Sequence, residues 1–165
     1  MTTCSPRNFE LVRGLGADHV FDYRSQSAVS MINEVTKDTL GYALDTIASE
    51  DTARFCCDVL RKDGGRYSSL SPIPQLPRSD VVNLSCMAFT AIGEAFEIGG
   101  LRVPARPDDL AFAVKFTKIV AELWSSKKLR VHPFDARSGG LRGIFEGLQE
   151  LREEKISGQK LVYSV

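Results

Sequence analysis

A short polar segment, Ser5 to Asn8, carries the side chains with the clearest chemical potential. It follows a short β-rich run, and Ser5-Pro6 suits a helix start, with Ser as the N-cap and Pro at the first helical position. A hydroxyl, an amide and the Arg7 guanidinium then stand where free backbone N–H groups favour an anion. A guanidinium can bind phosphate through two hydrogen bonds. The segment therefore predicts a phosphate site, although on the residues alone capping by Ser5 and Asn8, with Arg7 solvated, is the commoner explanation.

The elements around this segment alternate as in a parallel α/β sheet flanked by helices. Strands are predicted at residues 1–4, 19–23, 42–47, 66–70, 81–89 and 160–165. Helices are predicted at residues 5–16, 27–37, 51–60, 108–125 and 138–153, loops at 71–77 and 99–107, and an extended run at 129–134.

Two burial patterns are expected within these elements. The strand at residues 42–47 is nearly continuous in apolar residues, which predicts helices on both of its faces. Helical spacing predicts apolar stripes at Val29, Ile32 and Val35 in one helix, and at Leu110, Val114, Ile119 and Leu123 in the longest helix.

Composition excludes several classes of protein. The 165 residues hold 21 Lys and Arg against 21 Asp and Glu, so no single sign of charge favours nucleic acid or an anionic membrane. We find no apolar run of membrane-spanning length and no signal-peptide layout, and we expect a reduced, cytoplasmic setting. His19 and His132 lack neighbours at metal-ligand spacing, so no metal site is predicted. Neither zinc-ligand spacing nor a secreted disulfide framework is present among the four cysteines, Cys4, Cys56, Cys57 and Cys86.

Several segments, taken in order, resemble the medium-chain dehydrogenase/reductase superfamily. They are TCSPRNFELVRGLGADHVFDYRS, YALDTIAS, LRKDGGRYSSL and FEGLQELREEKISGQKLVYSV, and together they extend over essentially the whole chain. More narrowly, the chain resembles zinc-free quinone oxidoreductases and the fungal trans-acting enoyl reductases that partner highly reducing polyketide synthases. The ordered set is specific, whereas no single segment would be.

The resemblance implies an NADP(H) site. The end of the first strand carries no Asp or Glu to accept bonds from the ribose hydroxyls of NAD, which suits a cofactor with a 2′-phosphate. The cofactor-binding residues that the resemblance implies are Ser5, Arg7, Asn8, Tyr23, Ile47 and Ser71. The first three would hold the 2′-phosphate, and Tyr23 would lie near the adenine, with packing at the strand end as its alternative. Ile47 ends the predicted strand at 42–47, and Ser71 follows the strand at 66–70. Rossmann ligands lie at such strand ends, and ordinary βα turns are the alternative explanation for both positions.

Two further segments acquire expectations from the resemblance. Phe89–Gly93 would lie near the nicotinamide and the substrate pocket, with core packing as the simpler alternative. Lys160 fits the closing segment of the family, or is a solvated charge.

The resemblance also implies that the chain begins inside a Rossmann domain, without that domain's first strand and glycine-rich turn. Residues 1–130 would form an incomplete NADP-binding domain, and residues 131–165 would return to the catalytic domain. In the usual strand order 3-2-1-4-5-6, residues 1–23 supply strands two and three, and residues 42–89 supply the others. The inner edges of the two groups would then be unpaired, and the closing strand at 160–165 would pair with strands outside the chain.

The expected function is that of a fragment of an NADPH-dependent oxidoreductase, a trans-acting enoyl reductase of fungal polyketide biosynthesis. The reaction would transfer a hydride to an α,β-unsaturated thioester carried by a polyketide synthase, with the chemistry residing in the cofactor. The alternative is a catalytically inactive truncated remnant or an interaction module. No catalytic residue is identified in this chain.

Overall fold

The computed structural model describes residues 1–85 and 87–165, so Cys86 lies outside the described residues. The strands are Thr2–Thr3 (β1), Val20–Phe21 (β2), Tyr42–Asp45 (β3), Gly65–Ser69 (β4), Val81–Ser85 (β5), Phe96–Ile98 (β6), Leu101–Val103 (β7), Phe134–Arg137 (β8) and Lys160–Tyr163 (β9). The α-helices are Phe9–Gly14 (α1), Ala28–Thr36 (α2), Glu50–Val59 (α3), Pro107–Ser125 (α4) and Gly140–Arg152 (α5), and 3₁₀ helices span Pro6–Asn8 and Ala88–Ile92. None of the described helices is both long and apolar enough to cross a membrane.

The chain divides into two compact units, which are described separately. The first unit comprises Met1–Arg24 and Leu123–Val165, and the second comprises Ser25–Glu122. In the first unit, β1 and β2 run parallel, with Thr3 opposite Phe21. In the second unit, β3, β4 and β5 form a parallel sheet in that order. The α/β class is confirmed, and the parallel strands fall into the two predicted groups.

The C-terminal strand finds a partner within the chain. β9 pairs in parallel with β8, with Phe134 opposite Lys160. This pairing within the chain was not predicted, and α5 supplies the crossover that it needs. Gly143 of α5 lies against Tyr163, where an added Cβ would be 3.0 Å from the ring, so glycine permits the close approach of helix and strand.

The core of the second unit lies between α3 and β4. Its buried side chains are Ala53, Cys57, Leu60, Tyr67, Ile73 and Val81. Ile73 comes from the predicted loop at residues 71–77, which therefore closes one side of this core. Burial of such side chains supplies most of the stabilisation of a small core.

The burial of these elements differs from the prediction in part, although Ile32 of α2 is buried as predicted. Tyr42 and Leu44 of β3 are 73% and 67% exposed, because α3 packs on the opposite face and no described element covers theirs. Val35 is exposed at the end of α2. The apolar residues predicted to share one side of α4 are exposed in this chain, at Leu110, Val114, Ile119 and Leu123.

The segment after β5 differs from its prediction in two places. The strand ends at Ser85, and Ala88–Ile92 forms a 3₁₀ helix instead of continuing it. The predicted loop at 99–107 contains half of an antiparallel hairpin, in which β6 and β7 are joined by Gly99 and Gly100. Both glycines have positive φ, 56° and 79°, as a two-residue hairpin turn requires.

Candidate functional site

The carboxyl ends of β1 and β2 lie side by side in the first unit. The backbone N–H of Cys4 donates to the Phe21 carbonyl at 3.0 Å, which keeps the two chains together as they leave the strands. Ser5 and Tyr23 therefore follow at the same edge of the strand pair. This is the edge at which parallel α/β sheets bind their ligands. Four of the six predicted site residues lie there: Ser5, Arg7, Asn8 and Tyr23.

The structure does not show the capping that offered an alternative role for this segment. Ser5 is extended, with φ −66° and ψ 145°, and its side chain makes no capping bond. Asn8 precedes α1 and makes no side-chain cap either. Within the described part of the chain, the Ser5 hydroxyl and the exposed Arg7 guanidinium have no hydrogen-bond or ion-pair partner. Both groups are consequently available to an anionic ligand.

Asn8 differs from its two neighbours because its side chain is already engaged. Its amide Nδ2 donates to the Ser157 Oγ at 2.9 Å, in a partly buried contact between residues 149 positions apart. Sequence reasoning missed Ser157, since nothing in the sequence pairs the first turn of the chain with its closing segment. The contact leaves the second Nδ2 hydrogen of Asn8 uncommitted.

Tyr23 is 51% exposed, which argues against the packing role considered for it. The Arg24 guanidinium lies over its ring, 5.6 Å from the centroid. Asp22 accepts hydrogen bonds from the Arg24 backbone N–H at 3.1 Å and from its Nε at 3.2 Å. These bonds, the backbone one foremost, hold the pKa of Asp22 below its usual value. Arg24 is thus a second cation at this edge, and it was not singled out from the sequence.

A buried carboxylate organises the turn after β3 in the second unit. Asp45 Oδ1 accepts from the backbone N–H groups of Ile47 at 3.0 Å and Ala48 at 2.9 Å, and its Oδ2 accepts from the Tyr67 hydroxyl at 2.9 Å. Ala48 has a φ of +59°, a left-handed conformation that is uncommon outside glycine and is held here by the turn. Sequence reasoning read Asp45 as part of an apolar strand and missed this role.

Burial and hydrogen bonding act in opposite directions on Asp45. Burial alone would raise the pKa of its carboxyl, but the hydrogen bonds from Ala48, Thr52, Ile47 and Tyr67 outweigh burial and lower the pKa below its usual value. Burial and the neighbouring Asp45 carboxylate together raise the pKa of the Tyr67 hydroxyl. Tyr67 therefore remains a donor, and Asp45 remains an ionised acceptor at neutral pH.

The two predicted residues of the second unit lie at the carboxyl ends of β3 and β4. Ile47 lies in the turn rather than in the predicted strand, which ends at Asp45, and it is 73% exposed. The Ser71 carbonyl accepts from the Ser69 Oγ at 2.8 Å, which fixes the chain as it leaves β4. Both positions are thus turns that could present groups to a ligand at the sheet edge.

An apolar pocket of about 830 Å³ lies in the second unit, beside the ends of β4 and β5. Leu70 and Pro72 reach it from the loop after β4, and Thr90 and Ala91 reach it from the 3₁₀ helix, within the predicted segment Phe89–Gly93. The Thr90 side chain is buried and donates to the Met87 carbonyl at 2.8 Å. The segment therefore lines a pocket, although its outermost residues, Phe89 and Ile92, are exposed.

The far wall of this pocket carries aromatic and basic groups. Phe112 and Phe116 of α4 stack at 6.0 Å between ring centroids. Arg102 and Arg106 stand at the wall as well, and Arg106 forms an ion pair with Asp109 at 3.6 Å. An apolar cavity with a few polar groups at its margin suits a largely apolar ligand.

Comparison with known proteins identifies the class to which this arrangement belongs. A family model described as "Zinc-binding dehydrogenase" matches residues 15–137. The chain belongs to this family, and within the medium-chain dehydrogenase/reductase superfamily it corresponds to the C-terminal part of the fungal enoyl reductase type. Oxidoreductases of this superfamily generally use nicotinamide cofactors.

Particular relatives make the relationship more specific. The chain is 40% identical over its whole length to "Trans-enoyl reductase BOA5" of Botryotinia fuckeliana and covers 45% of that protein. It is 37% identical, over 99% of its length, to "Trans-enoyl reductase ACTTS2" of Alternaria alternata and covers 47% of it. The chain thus spans slightly less than half the length of these relatives.

Solved structures support the fold. The CurK enoyl reductase matches 98% of this chain with a TM-score of 0.71 at 16% identity, and 46% of the CurK chain is covered. A putative NADPH:quinone reductase from Bacillus thuringiensis matches 99% with a TM-score of 0.70 at 15% identity, and 47% of it is covered. The family's description refers to zinc, but residues 1–85 and 87–165 bring together no three His, Cys, Asp or Glu side chains that could hold a metal ion.

Proposed function

We propose that this chain is part of an NADPH-dependent trans-acting enoyl reductase of fungal polyketide biosynthesis. Residues 1–130 belong to the NADP-binding domain in this proposal, and residues 131–165 form the segment that returns to the catalytic domain. When bound, NADPH supplies the hydride that reduces an α,β-unsaturated thioester. The 37–40% identity to proteins named trans-enoyl reductases supports the reaction class.

One observation carries the cofactor assignment. The free Arg7 guanidinium and Ser5 hydroxyl lie at the carboxyl edge of β1 and β2, where no Asp or Glu follows β1. A carboxylate at this place would favour ribose hydroxyls, whereas a guanidinium favours the 2′-phosphate. Arg7 is therefore assigned to bind that phosphate, Ser5 and Asn8 to complete its hydrogen bonds, and the exposed ring of Tyr23 to lie near the adenine.

Residues of the second unit are proposed to contact the cofactor and the substrate. Ile47 follows β3 and Ser71 follows β4, and both are assigned a cofactor contact by analogy with the strand ends of Rossmann folds. The apolar pocket beside Thr90 would accept the acyl chain and keep water from it. The partner implied is a polyketide synthase that delivers the carrier-bound enoyl substrate.

The test compares NADPH with NADH. The purified chain should bind NADPH more tightly, and Arg7→Ala should reduce the ratio of the two dissociation constants by roughly 10- to 100-fold, the value of one hydrogen-bonded charge pair. Arg142→Ala removes another exposed guanidinium, on α5, and should leave the ratio unchanged. Equal affinities in the unaltered chain, or an unchanged ratio in Arg7→Ala, would overturn the assignment.

A non-catalytic interaction module is the second candidate. The exposed apolar faces of α4 and α5 favour it, since such surfaces mark binding sites for other proteins. NADPH oxidation in the presence of a short α,β-unsaturated acyl thioester discriminates the two. Turnover by the chain supports the reductase, and binding of NADPH without turnover supports the module.

A further inference from the structure

A hydrogen bond joins the turn before β9 to the predicted phosphate-binding segment, Ser5 to Asn8. Ser157, in the turn before β9, accepts the hydrogen bond from Asn8 Nδ2 at 2.9 Å. Asn8 is the last residue of the 3₁₀ helix that carries Arg7, and its backbone N–H donates to the Ser5 carbonyl at 2.9 Å. The bond to Ser157 therefore anchors the end of the same short turn from which Arg7 projects.

Gly158, next to Ser157, lies close to Asn8 and to Leu11 of α1. Gly158 has a φ of +68°, and a Cβ added there would lie 2.8 Å from Asn8 Oδ1 and 2.8 Å from Leu11 Cδ2. The left-handed conformation favours glycine at this position, and a larger residue would displace the Asn8 and Leu11 side chains. The turn at Ser157 and Gly158 consequently rests directly on the 3₁₀ helix and on α1.

We propose that Ser157 is a positioning residue for recognition of the cofactor's 2′-phosphate. The inference rests on the proposed function and extends it to a residue at the opposite end of the chain. A 3₁₀ helix of three residues has little rigidity of its own, so its orientation depends on contacts such as this one. By accepting one hydrogen from Asn8, Ser157 fixes the plane of the amide, and the second hydrogen of Nδ2 is directed to the ligand. Arg7 is held on the same anchored turn.

Binding of 2′,5′-ADP and of 5′-ADP, measured by calorimetry on the full chain, tests this role because only the former carries the 2′-phosphate. Ser157→Ala should lower the selectivity for 2′,5′-ADP by about five-fold, as expected from the loss of one ordinary hydrogen bond. Ser157→Thr keeps a hydroxyl and should restore most of the selectivity. Ser164→Ala, at an exposed serine of the same segment, is the matched control and should bind both ligands as the unaltered chain does.

The possible outcomes distinguish a failure of the role proposed for Ser157 from a failure of the NADP assignment. If the unaltered chain does not distinguish the two nucleotides, the NADP assignment fails, and the role of Ser157 fails with it. If the unaltered chain is selective and Ser157→Ala is equally selective, only the role of Ser157 is overturned. A parallel weakening of both ligands would show a purely structural contact and would also overturn it. If Ser157→Ala does not fold, Ser157→Cys, which keeps the size and weakens the hydrogen bond, replaces it with the same expectation.

Discussion

At the carboxyl edge of β1 and β2, three neighbouring polar side chains differ in their hydrogen-bond partners. The Ser5 hydroxyl and the Arg7 guanidinium are without partners in the described chain, whereas the Asn8 amide is bonded to Ser157. The identity of these side chains could be interpreted from the sequence, because the absence of an acid after β1 already suggests a phosphate. The hydrogen bond between Asn8 and Ser157 could not be predicted from the sequence, because only the folded chain brings these two residues together.

Asp45 provides a prediction about pH. Its pKa is lowered in the folded protein, so its ionised carboxylate stabilises the fold above its unfolded pKa of about 4, and this stabilisation disappears as the pH falls through the lower folded pKa. Asp45→Asn should lower the free energy of unfolding by about 2 kcal/mol near neutral pH and by clearly less at about pH 2. Urea unfolding at the two pH values measures the difference.

The control for this prediction is Asp18→Asn, which removes an exposed carboxylate that has no hydrogen-bond partner in the described chain. It should change the free energy of unfolding little at either pH. A loss of stability in Asp45→Asn that is the same at both pH values would show that the ionised state of Asp45 is not what stabilises the turn.

At the scale of elements, the C-terminal end of α3 depends on one side chain. The Arg78 guanidinium donates to four backbone carbonyls at distances of 2.9 to 3.3 Å, those of Cys57, Leu60, Arg61 and Lys62. These are carbonyls at a helix end and beyond it, which lack partners within the helix. Arg78 comes from the loop before β5, so it joins that loop to α3.

Replacement of Arg78 by Met should therefore lower the free energy of unfolding by about 2–3 kcal/mol, because several carbonyls lose a charged donor at once. Arg78→Lys should recover only part of this loss, since an ammonium lacks the planar fork that spans separate acceptors. Urea unfolding checks both values. Arg54→Met, at an exposed arginine of α3 without a partner in the described chain, should be nearly neutral, and an equal loss there would refute the role given to Arg78.

The order of the helices and parallel strands could be predicted, because apolar periodicity and helix-start residues are local signals. Which faces of these helices and strands are buried could not be predicted. The apolar run at residues 42–47 suggested burial on both faces, yet Tyr42 and Leu44 are exposed, since covering depends on elements distant in sequence. Likewise, the pairing of β9 with β8 was not predicted, because a parallel pairing across α5 leaves no local sequence signal.

At the scale of the whole molecule, large apolar surfaces are exposed. Leu141, Phe145 and Leu148 form one stripe on α5, and Phe145 is 74% exposed. The opposite face of that helix is occupied, because Gly143 and Gly147 pack against β9. A stripe of this kind promotes association in water.

We therefore expect the purified chain to self-associate. Phe145→Glu should shift sedimentation velocity profiles toward the monomer, because a charge at the centre of the stripe opposes its burial. Arg142→Glu places a carboxylate at an exposed position of α5 outside the stripe and should change the profile little. A chain that is monomeric at every accessible concentration would contradict the expectation.

The central claim is that the edge formed by β1 and β2 recognises the 2′-phosphate of NADP. The most direct measurement is nuclear magnetic resonance mapping of the isotope-labelled chain during titration with 2′,5′-ADP and, separately, with 5′-ADP. The account predicts that the shifts specific to 2′,5′-ADP cluster at the backbone amides of Ser5, Arg7 and Asn8 and at the side-chain amide of Asn8. Specific shifts at other places in the chain, or identical shifts with both nucleotides, would contradict it.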